Sequence, residues 1–567
     1  MKVRRRWAAL VPATVLSLAL AACGGTSDNN GGSGNGGKSV PSANQNDINK
    51  TPRDQLQDGG TFTWVLTQIP SNFNYNELDG TLADNASVIL ALMPQAFYSD
   101  GAGGIYLNKD LLDDATLTST DPQQVVTYKI NQKAVWYDGT KITAADFISQ
   151  WKALNGSNKA YKVSSTTGYD QMSDVKQGAN DHEVVVTFKT KYADWKALFS
   201  PLYPASTNDD PKIFNDGWTQ KPLTTAGPFK LDKVDSTAKT ITLVKNEKWW
   251  GNPAKLDKIV YRAIDSDAQV DSLSSGEIDF VDVGPDADKY ARVKTIQGVT
   301  VHKAGGPNFR HLTMNSKSAV LSDQNVRQAL AQGIDRTRIA AALLGPLEVP
   351  AVPLNNHFFM TNQVGYQDNS GDVGKFNPDA AKQKLDAAGW TLPAGGTYRQ
   401  KDGKELDINF VIPSQVATSE KESKQIQAML KDIGAKVNIK VVPSDDFFDK
   451  YVTPGNFDFT VFSWLGNSFP ISSNKSIYGN PKGDDIQQNF ARVGSQEIDD
   501  LFTQATAELD ENKARTIANH IDQLIWTEVH SLTTYQRPEI VAVKSTIGNF
   551  GAFGFGSTIY EDIGIKK

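Results

Sequence analysis

Residues 32–39, GSGNGGKS, match the phosphate-binding loop pattern of a glycine, four residues and then Gly-Lys-Ser. In nucleotide-binding proteins this pattern follows a buried strand and opens a helix, because backbone amides and a helix N-terminus must surround the phosphates. Both flanks of this stretch are instead polar and rich in Gly, Ser and Asn. We therefore interpret the match as a coincidence within a flexible segment and predict no nucleotide cofactor.

Paired carboxylates offer a second possible chemistry, that of a glycosidase. The Asp doublets weighed for this role are Asp113-Asp114, Asp445-Asp446, Asp484-Asp485 and Asp499-Asp500. Two of them follow Ser444 and Gly483 and are typical of turns or caps, and sequence does not give the separation between carboxyl groups that hydrolysis needs. The six histidines include no HExxH pair, and no GxSxG motif is present. These patterns predict no catalytic residues and no metal site.

The N-terminus indicates export and lipid attachment. Basic residues at positions 2 and 4–6 precede an apolar run, residues 7–22, of the length of a signal peptide. The run ends in Leu-Ala-Ala-Cys-Gly, which resembles the bacterial lipobox, whose cysteine receives a diacylglyceryl group. Two acyl chains anchor a protein stably. We predict a signal peptide at 1–22, lipidation of Cys23 and a flexible tether at 23–58, with the protein on the outer face of the bacterial cytoplasmic membrane.

Composition predicts a large folded body. Apolar residues make up 39% of the 567, and Cys23 is the single cysteine, so once it is acylated the chain can form no intramolecular disulfide, redox dithiol or Cys metal site. The chain has 58 basic and 64 acidic residues and no basic stripe with interleaved aromatics. We therefore predict no nucleic-acid partner. No second apolar run approaches 18 residues. We expect two or three domains.

Hydrophobic periodicity predicts a mixed α/β body. β-branched and aromatic runs at 61–69 and 182–189 predict strands, and the apolar stripe of 421–433 predicts a helix that Gly434 ends. Asp138-Gly139 predicts a turn. Ser322-Asp323 and Asn377-Pro378 predict the starts of two further helices, and the apolar stripe along 514–525 predicts another helix.

Seven segments, taken in order, resemble one family across nearly the whole chain after the tether. They are GGTFTWVL, YKINQKAVWYDGTKITAADF (128–147), GPFKL (227–231), NEKWWGNPAKLDKIVY (246–261), SGEIDF (275–280), MNSKSAVLSDQNVRQALAQGIDRTRI (314–339) and FNPDAAKQKLDAAGW (376–390). Their order and spacing are similar to the extracytoplasmic solute-binding proteins of peptide-type ABC importers, the dipeptide and oligopeptide binding-protein family.

This resemblance implies an α/β, two-lobed clamshell of the periplasmic-binding-protein type II, with an extra domain. The implied hinge-side lobe comprises 59–95, 190–305 and 525–567, the extra domain 96–189, and the opposing lobe 306–524. Such a chain closes on a ligand between its lobes.

The resemblance also implies a ligand site. In peptide-binding relatives a Trp-containing segment lines the cleft, and an Asp shortly after the Trp pairs with the ammonium group of the ligand. The matching residues here are Trp464, Leu465, Gly466 and Asn467, so an amide stands where the family has a carboxylate. Core packing is the alternative role of Trp464. From the other lobe, Asn72, Phe73 and Asn74 follow the first strand and are predicted to line the cleft.

The implied function is that of a lipid-anchored, monomeric binding protein that is not an enzyme. It captures a peptide and delivers it to ABC permease subunits, whose cytoplasmic ATPases supply the energy. Two alternatives stay open: a secreted lipoprotein hydrolase on the same lobes, and a non-peptide ligand such as a metal chelate or a sugar.

Overall fold

The computed structural model describes residues 44–483 and 486–567, without the side chains of residues 445 and 449. The predicted signal peptide, Cys23, the tether up to residue 43 and the doublet Asp484-Asp485 lie outside the described residues. Within the described ranges, no helix has both the length and the apolar character needed to cross a membrane. The protein is an α/β chain with two lobes and an extra domain.

The hinge-side lobe is built on a four-stranded sheet. Its elements are β1 (Asp47–Ile48), β2 (Thr61–Leu66), β9 (Phe229–Asp235), β10 (Thr240–Lys245), β11 (Lys258–Ala263), β20 (Ile547–Gly548), β21 (Gly551–Ala552), β22 (Gly564–Ile565), α1 (Ala83–Ile89), α5 (Gln269–Ser274) and α6 (Ala287–Val293). The sheet order is β2-β11-β10-β9, with β2 and β11 parallel. Phe62 and Trp64 of β2 pack with Phe280 and Phe550, so this aromatic cluster forms the core of the lobe.

The extra domain carries an antiparallel sheet of order β5-β6-β8-β7. Its elements are β3 (Phe97–Ser99), β4 (Ile105–Leu107), β5 (Leu112–Ser119), β6 (Val125–Ile130), β7 (Met172–Gln177), β8 (Glu183–Phe188) and α2 (Ala144–Leu154), and the short helices α3 (Ala205–Asn208) and α4 (Pro211–Asp216) fall in the range predicted for the hinge-side lobe. Alternate residues of β8, Val184, Val186 and Phe188, are buried, as the period of a half-buried strand requires. Thr143 and Asp146 form a capping box that starts α2.

The opposing lobe surrounds most of a six-stranded sheet of order β12-β19-β13-β18-β16-β17. The strands of this sheet are β12 (Phe280–Asp282), which lies on the hinge side, and β13 (Val299–Met314), β16 (Asp407–Pro413), β17 (Lys436–Val442), β18 (Phe459–Trp464) and β19 (Ser531–Lys544), and the small pair β14 (Gln400–Lys401) and β15 (Lys404–Glu405) is separate. The helices are α7 (Gln324–Gln332), α8 (Arg336–Leu344), α9 (Pro378–Ala387), α10 (Ala417–Asp432), α11 (Ser444–Asp446), α12 (Pro470–Ser473), α13 (Lys475–Tyr478), α14 (Gln496–Ala507) and α15 (Glu511–Glu528).

Strands β13 and β19 cross from one lobe to the other. Residues 299–305 of β13 pair with 538–544 of β19, and 309–313 pair with 531–536, with a break in register between Gly305 and Phe309. The first half lies beside the hinge-side elements β12 and β1, and the second half pairs with β18. The predicted last boundary, residue 525, lies within α15 (Glu511–Glu528) and stays a prediction. The other predicted boundaries stay predictions.

The flexible tether predicted at 23–58 extends too far, because its described part, residues 44–58, packs on the folded body. Strand β1 pairs with β21, Asp47 accepts hydrogen bonds from Lys303 N and contacts His302, and Arg53 contacts Glu561 O at 3.0 Å. Asn44 O accepts a hydrogen bond from Gly305 N at 2.9 Å. Residues 44–58 are thus part of the hinge-side lobe, held by polar contacts with residues that lie hundreds of positions away.

Several local predictions are confirmed. Gly139 has φ +94° in the Asp138-Gly139 turn, where Asp138 Oδ1 accepts from Thr140 N at 2.9 Å. Gly434 has φ +85° just after α10, a backbone conformation that glycine adopts without strain. Asn377 and Asp323 cap α9 and α7. The predicted strands at 61–69 and 182–189 correspond to β2 and β8, each shorter than predicted.

Candidate ligand cleft beside the crossing strands

The candidate cleft lies where the two lobes meet at the crossing strands. Trp464 is the last residue of β18 and pairs with Phe309, the first paired residue of β13 after the register break. Strand β18 runs parallel to β16, which runs parallel to β17. The residues after Trp464 therefore emerge at the carboxyl edge of these strands, the edge at which open α/β sheets bind ligands.

The indole of Trp464 is held by aromatic side chains. The His311 ring is nearly parallel to it, at 5.5 Å and 11°, and so is the Phe490 ring, at 5.8 Å and 4°. Phe462 meets it edge-on at 5.1 Å. Trp464 is only partly buried, so it combines the packing role, left open as an alternative, with a surface that a ligand can contact.

His311 contributes to this group as a neutral ring. Burial lowers the pKa of His311 well below its usual value, and the charges of Arg310, His530 and His357 lower it further. An uncharged imidazole stacks on the indole without bringing an unpaired charge into the core. His311 escaped the sequence analysis because a lone histidine in a strand carries no pattern.

The segment after Trp464 is partly exposed. Leu465 is 64% exposed. Gly466 N donates to Asn308 Oδ1 at 3.1 Å, and a Cβ at Gly466 would overlap Pro307 O. Asn467 is exposed, and its Oδ1 accepts a hydrogen bond from Phe469 N at 2.8 Å. The segment thus lies against the 307–308 bend of β13, and the Oδ1 of Asn467 is engaged by the backbone of the same segment.

The loop at 72–74 has a different role from the one predicted. Asn72, Phe73 and Asn74 are 3%, 1% and 1% exposed. Asn72 Nδ2 donates to Glu77 and to Asn215 O, and Asn74 Nδ2 donates to Phe214 O at 2.9 Å. These side chains hold the loop to the hinge-side lobe and present almost no surface to a ligand, because their polar groups are satisfied internally.

A phenylalanine of the hinge-side lobe inserts into the opposing lobe. Phe555 is 5% exposed and packs with Phe309, Leu354 and Met360, and Trp464 packs against the same group. The loop that carries it is fixed by Glu539 of β19, which accepts hydrogen bonds from the backbone of residues 553 and 554. Burial raises the pKa of Glu539 to about 7. The aromatic surface of the candidate site is therefore in contact with both lobes.

The charged groups behind the cleft are structural. Arg310 is paired with Glu422, which also accepts from Tyr535 Oη at 2.9 Å, and His357 contacts Asp522 at 2.6 Å with both side chains fully buried. No group of three His, Cys, Asp or Glu residues suited to a metal ion occurs in the described ranges. The site offers aromatic surface and amide groups.

Comparisons with known proteins decide the family. Residues 109–484 match the family model of the bacterial extracellular solute-binding proteins, family 5, middle region. The chain is similar to the oligopeptide-binding protein OppA of Mycobacterium tuberculosis, strain H37Rv, with 40% identity over 526 residues, which are 92% of this chain and 87% of OppA. The chain belongs to family 5 of the bacterial extracellular solute-binding proteins.

Solved structures agree with this fold. The periplasmic EDTA-binding protein EppA is similar with a TM-score of 0.84 and 26% identity, over 92% of this chain and 98% of EppA. The oligopeptide-binding protein AppA from Bacillus subtilis, in complex with a nonapeptide, has a TM-score of 0.77 and 22% identity, over 90% of this chain and all of AppA. The two-lobed architecture implied by the sequence motifs is confirmed.

Proposed function

We propose that this family 5 protein captures a peptide between its two lobes and delivers it to an ABC importer. The observation that carries the proposal is the partly exposed segment Trp464–Asn467, which leaves the sheet at the crossing strands, where both lobes contribute contacts. The 40% identity to an oligopeptide-binding protein over most of both chains supports a peptide as the ligand. The protein acts as a monomer, held at the outer face of the cytoplasmic membrane by lipid on Cys23.

The segment suits a peptide by its chemistry. Trp464 and Leu465 offer apolar surface to ligand side chains, and exposed amides of the segment can bond the peptide backbone, as in recognition by strand addition. Backbone bonds are common to all peptides, so affinity does not require one particular sequence. Rotation about the crossing strands would close the lobes on the bound chain.

Native mass spectrometry of protein purified without unfolding tests the ligand class. We expect peptides to be released from residues 24–567 produced in bacteria, and we expect calorimetry with a synthetic nonapeptide to give saturable binding. A nonapeptide recovered intact after prolonged incubation agrees with a binding protein. Recovery of its fragments would favour the hydrolase instead, and a co-purified sugar would contradict the peptide assignment.

A metal chelate is the second candidate, favoured by the similarity to an EDTA-binding protein. Because the described residues offer no metal-binding group of three side chains, a chelate would have to bring its own ligands to the metal. Calorimetry with iron(III)–EDTA beside the nonapeptide separates the two candidates. We expect heat of binding from the nonapeptide alone; binding of the chelate alone would replace our proposal with this one.

A further inference from the structure

The lobes also touch outside the crossing strands, where residues 192–195 meet the opposing lobe. Ala193 N donates to Thr506 O at 2.8 Å, and Ser472 N donates to Asp194 Oδ2 at 3.3 Å. Ser472 is 4% exposed. These two hydrogen bonds join residues on opposite sides of the cleft, so any opening at this place must break them. We call the four residues Ala193, Asp194, Ser472 and Thr506 the lobe latch.

Asp194 is an unusual residue for such a contact because it brings a charge. It is partly buried, and no ion pair joins it to a cation within the described residues. Glu511, the first residue of α15, adds a like charge nearby, and Arg515 pairs with Glu511 at 2.7 Å. A carboxylate removed from water without a cation loses hydration free energy that the amide and hydroxyl of Ser472 replace only in part.

We propose that Asp194 is a positioning residue that keeps lobe closure weak enough to be reversed. Its oxygen joins the lobes through Ser472, while the burial of its charge opposes the same closure. The latch therefore aligns the lobes and limits how long they stay shut. This inference rests on the proposed closing of the lobes on a ligand, and it adds that release is tuned by a residue outside the Trp464 segment.

The expected pH dependence follows from linkage. Burial raises the pKa of Asp194 and Glu511 raises it further, whereas the amide and hydroxyl of Ser472 lower it less than burial raises it. In an open molecule Asp194 returns to water and to its ordinary pKa. The closed state then binds a proton more tightly than the open state, so closing becomes more favourable as pH falls through the raised pKa. Above the raised pKa the carboxylate is charged in both states and the cost of burying its charge opposes closing.

Distances between two spin labels measure closure without any ligand. In a Cys23→Ser background, labels on Lys176→Cys and Lys431→Cys report one exposed position of the extra domain and one of the opposing lobe. Asp194→Asn keeps an oxygen for Ser472 N and removes the charge. At pH 7.5 we expect it to raise the ratio of closed to open molecules by roughly three- to tenfold. Lowering the pH to 4.5 should raise the closed fraction of the wild type more than that of Asp194→Asn, in which Glu539, with a pKa of about 7, still titrates.

Release of the nonapeptide gives a second readout. Its dissociation rate from Asp194→Asn should fall by the same factor. Glu511→Gln should act in the same direction by a smaller factor, because it removes only the nearby like charge. Asp181→Asn is the control, since Asp181 is 60% exposed and lies in the extra domain away from the latch; it should change neither readout.

The outcomes separate this inference from the proposed function. If Asp194→Asn opens the lobes, or leaves both the label distances and their pH dependence unchanged, Asp194 does not weaken closure. If the labels show the expected shift but the nonapeptide fails to bind wild type, the role of Asp194 stands and the peptide function falls.

Discussion

At the scale of single residues, Asn467 shows how a change from acid to amide alters recognition. Its Oδ1 is occupied by Phe469 N, so the group it offers a ligand is the Nδ2 donor. A carboxylate at this position could bond Phe469 N with one oxygen and a ligand ammonium with the other. We infer that wild type recognises a free peptide N-terminus less stringently than an aspartate would.

The substitution Asn467→Asp tests this inference and preserves the Phe469 hydrogen bond. We expect wild type to bind the nonapeptide and its N-acetylated form within about tenfold, or about 1.4 kcal/mol, and Asn467→Asp to widen the preference for the free amine. A desolvated pair of ammonium and carboxylate costs roughly 2–5 kcal/mol to break. Calorimetry on two peptides and two proteins gives the four affinities.

Strong rejection of the acetylated peptide by wild type would place the ammonium near another carboxylate. Asp458 is a poor choice in this structure, because it accepts hydrogen bonds from Asn409 N and from Ser318 Oγ at the other end of β18. Asp484, the remaining alternative, lies outside the described residues.

Residues 72–74 show what sequence cannot reveal about a site. A polar loop after a strand predicts exposure, yet Asn74 donates to Phe214 O, 140 positions away. Burial of an amide depends on partners that only the folded chain brings near. Trp464 was identified through a motif, whereas its neighbours His311 and Phe490 come from other elements and carry no signal of their own.

At the scale of elements, a buried ion pair joins helix α10 to strand β13. Arg310 and Glu422 are 6% and 1% exposed in their side chains, and Tyr535 of β19 adds a hydrogen bond to the carboxylate. We expect Glu422→Ala to lower the free energy of unfolding by about 3–5 kcal/mol, because it leaves a buried guanidinium without its partner. Denaturant unfolding monitored by circular dichroism measures this loss.

Glu420→Ala is the matched control on the same helix. Glu420 pairs with Lys424 at 2.5 Å on the exposed face of α10, with side chains 56% and 65% exposed, so its loss should change the free energy of unfolding far less than the loss of Glu422 does. If Glu420→Ala and Glu422→Ala lowered the free energy of unfolding equally, burial would not account for the contribution of the Arg310–Glu422 pair.

Local signals predict elements well and connections between them poorly. Glycines at positions 139 and 434 end or turn elements through their own backbone conformation, so sequence alone locates them. The passage of β13 and β19 from one lobe to the other, at Gly305 and Pro538, depends on the strands with which they pair. Those partner strands are scattered along the chain, so local sequence does not identify them. For this reason the motifs predict the two-lobed fold more readily than the positions of its lobe boundaries.

At the scale of the whole molecule, lobe closure should change the overall size. We expect small-angle X-ray scattering to give a smaller radius of gyration with saturating nonapeptide than without it, because a water-filled cleft is lost on closing. An unchanged radius at demonstrated saturation would indicate a preformed pocket.

Membrane attachment is a second property of the whole molecule. Because lipid on Cys23 is the proposed attachment, Cys23→Ser should release the protein into the culture fluid or leave its signal peptide uncleaved. Cell fractionation and mass determination measure both results. Ser27→Ala, which leaves the lipobox intact, should behave as wild type. Normal processing of Cys23→Ser with full retention on the membrane would refute lipid anchoring.

The hydrogen bond from Gly305 N to Asn44 O has a mechanical consequence. Residue 44 joins the folded body at the register break of β13, the place about which the lobes would rotate. Force transmitted along the preceding chain therefore acts with a short lever arm about that axis and exerts little torque on either lobe. Tension on the N-terminus should displace the molecule as a unit and leave the balance between its open and closed shapes nearly unaltered.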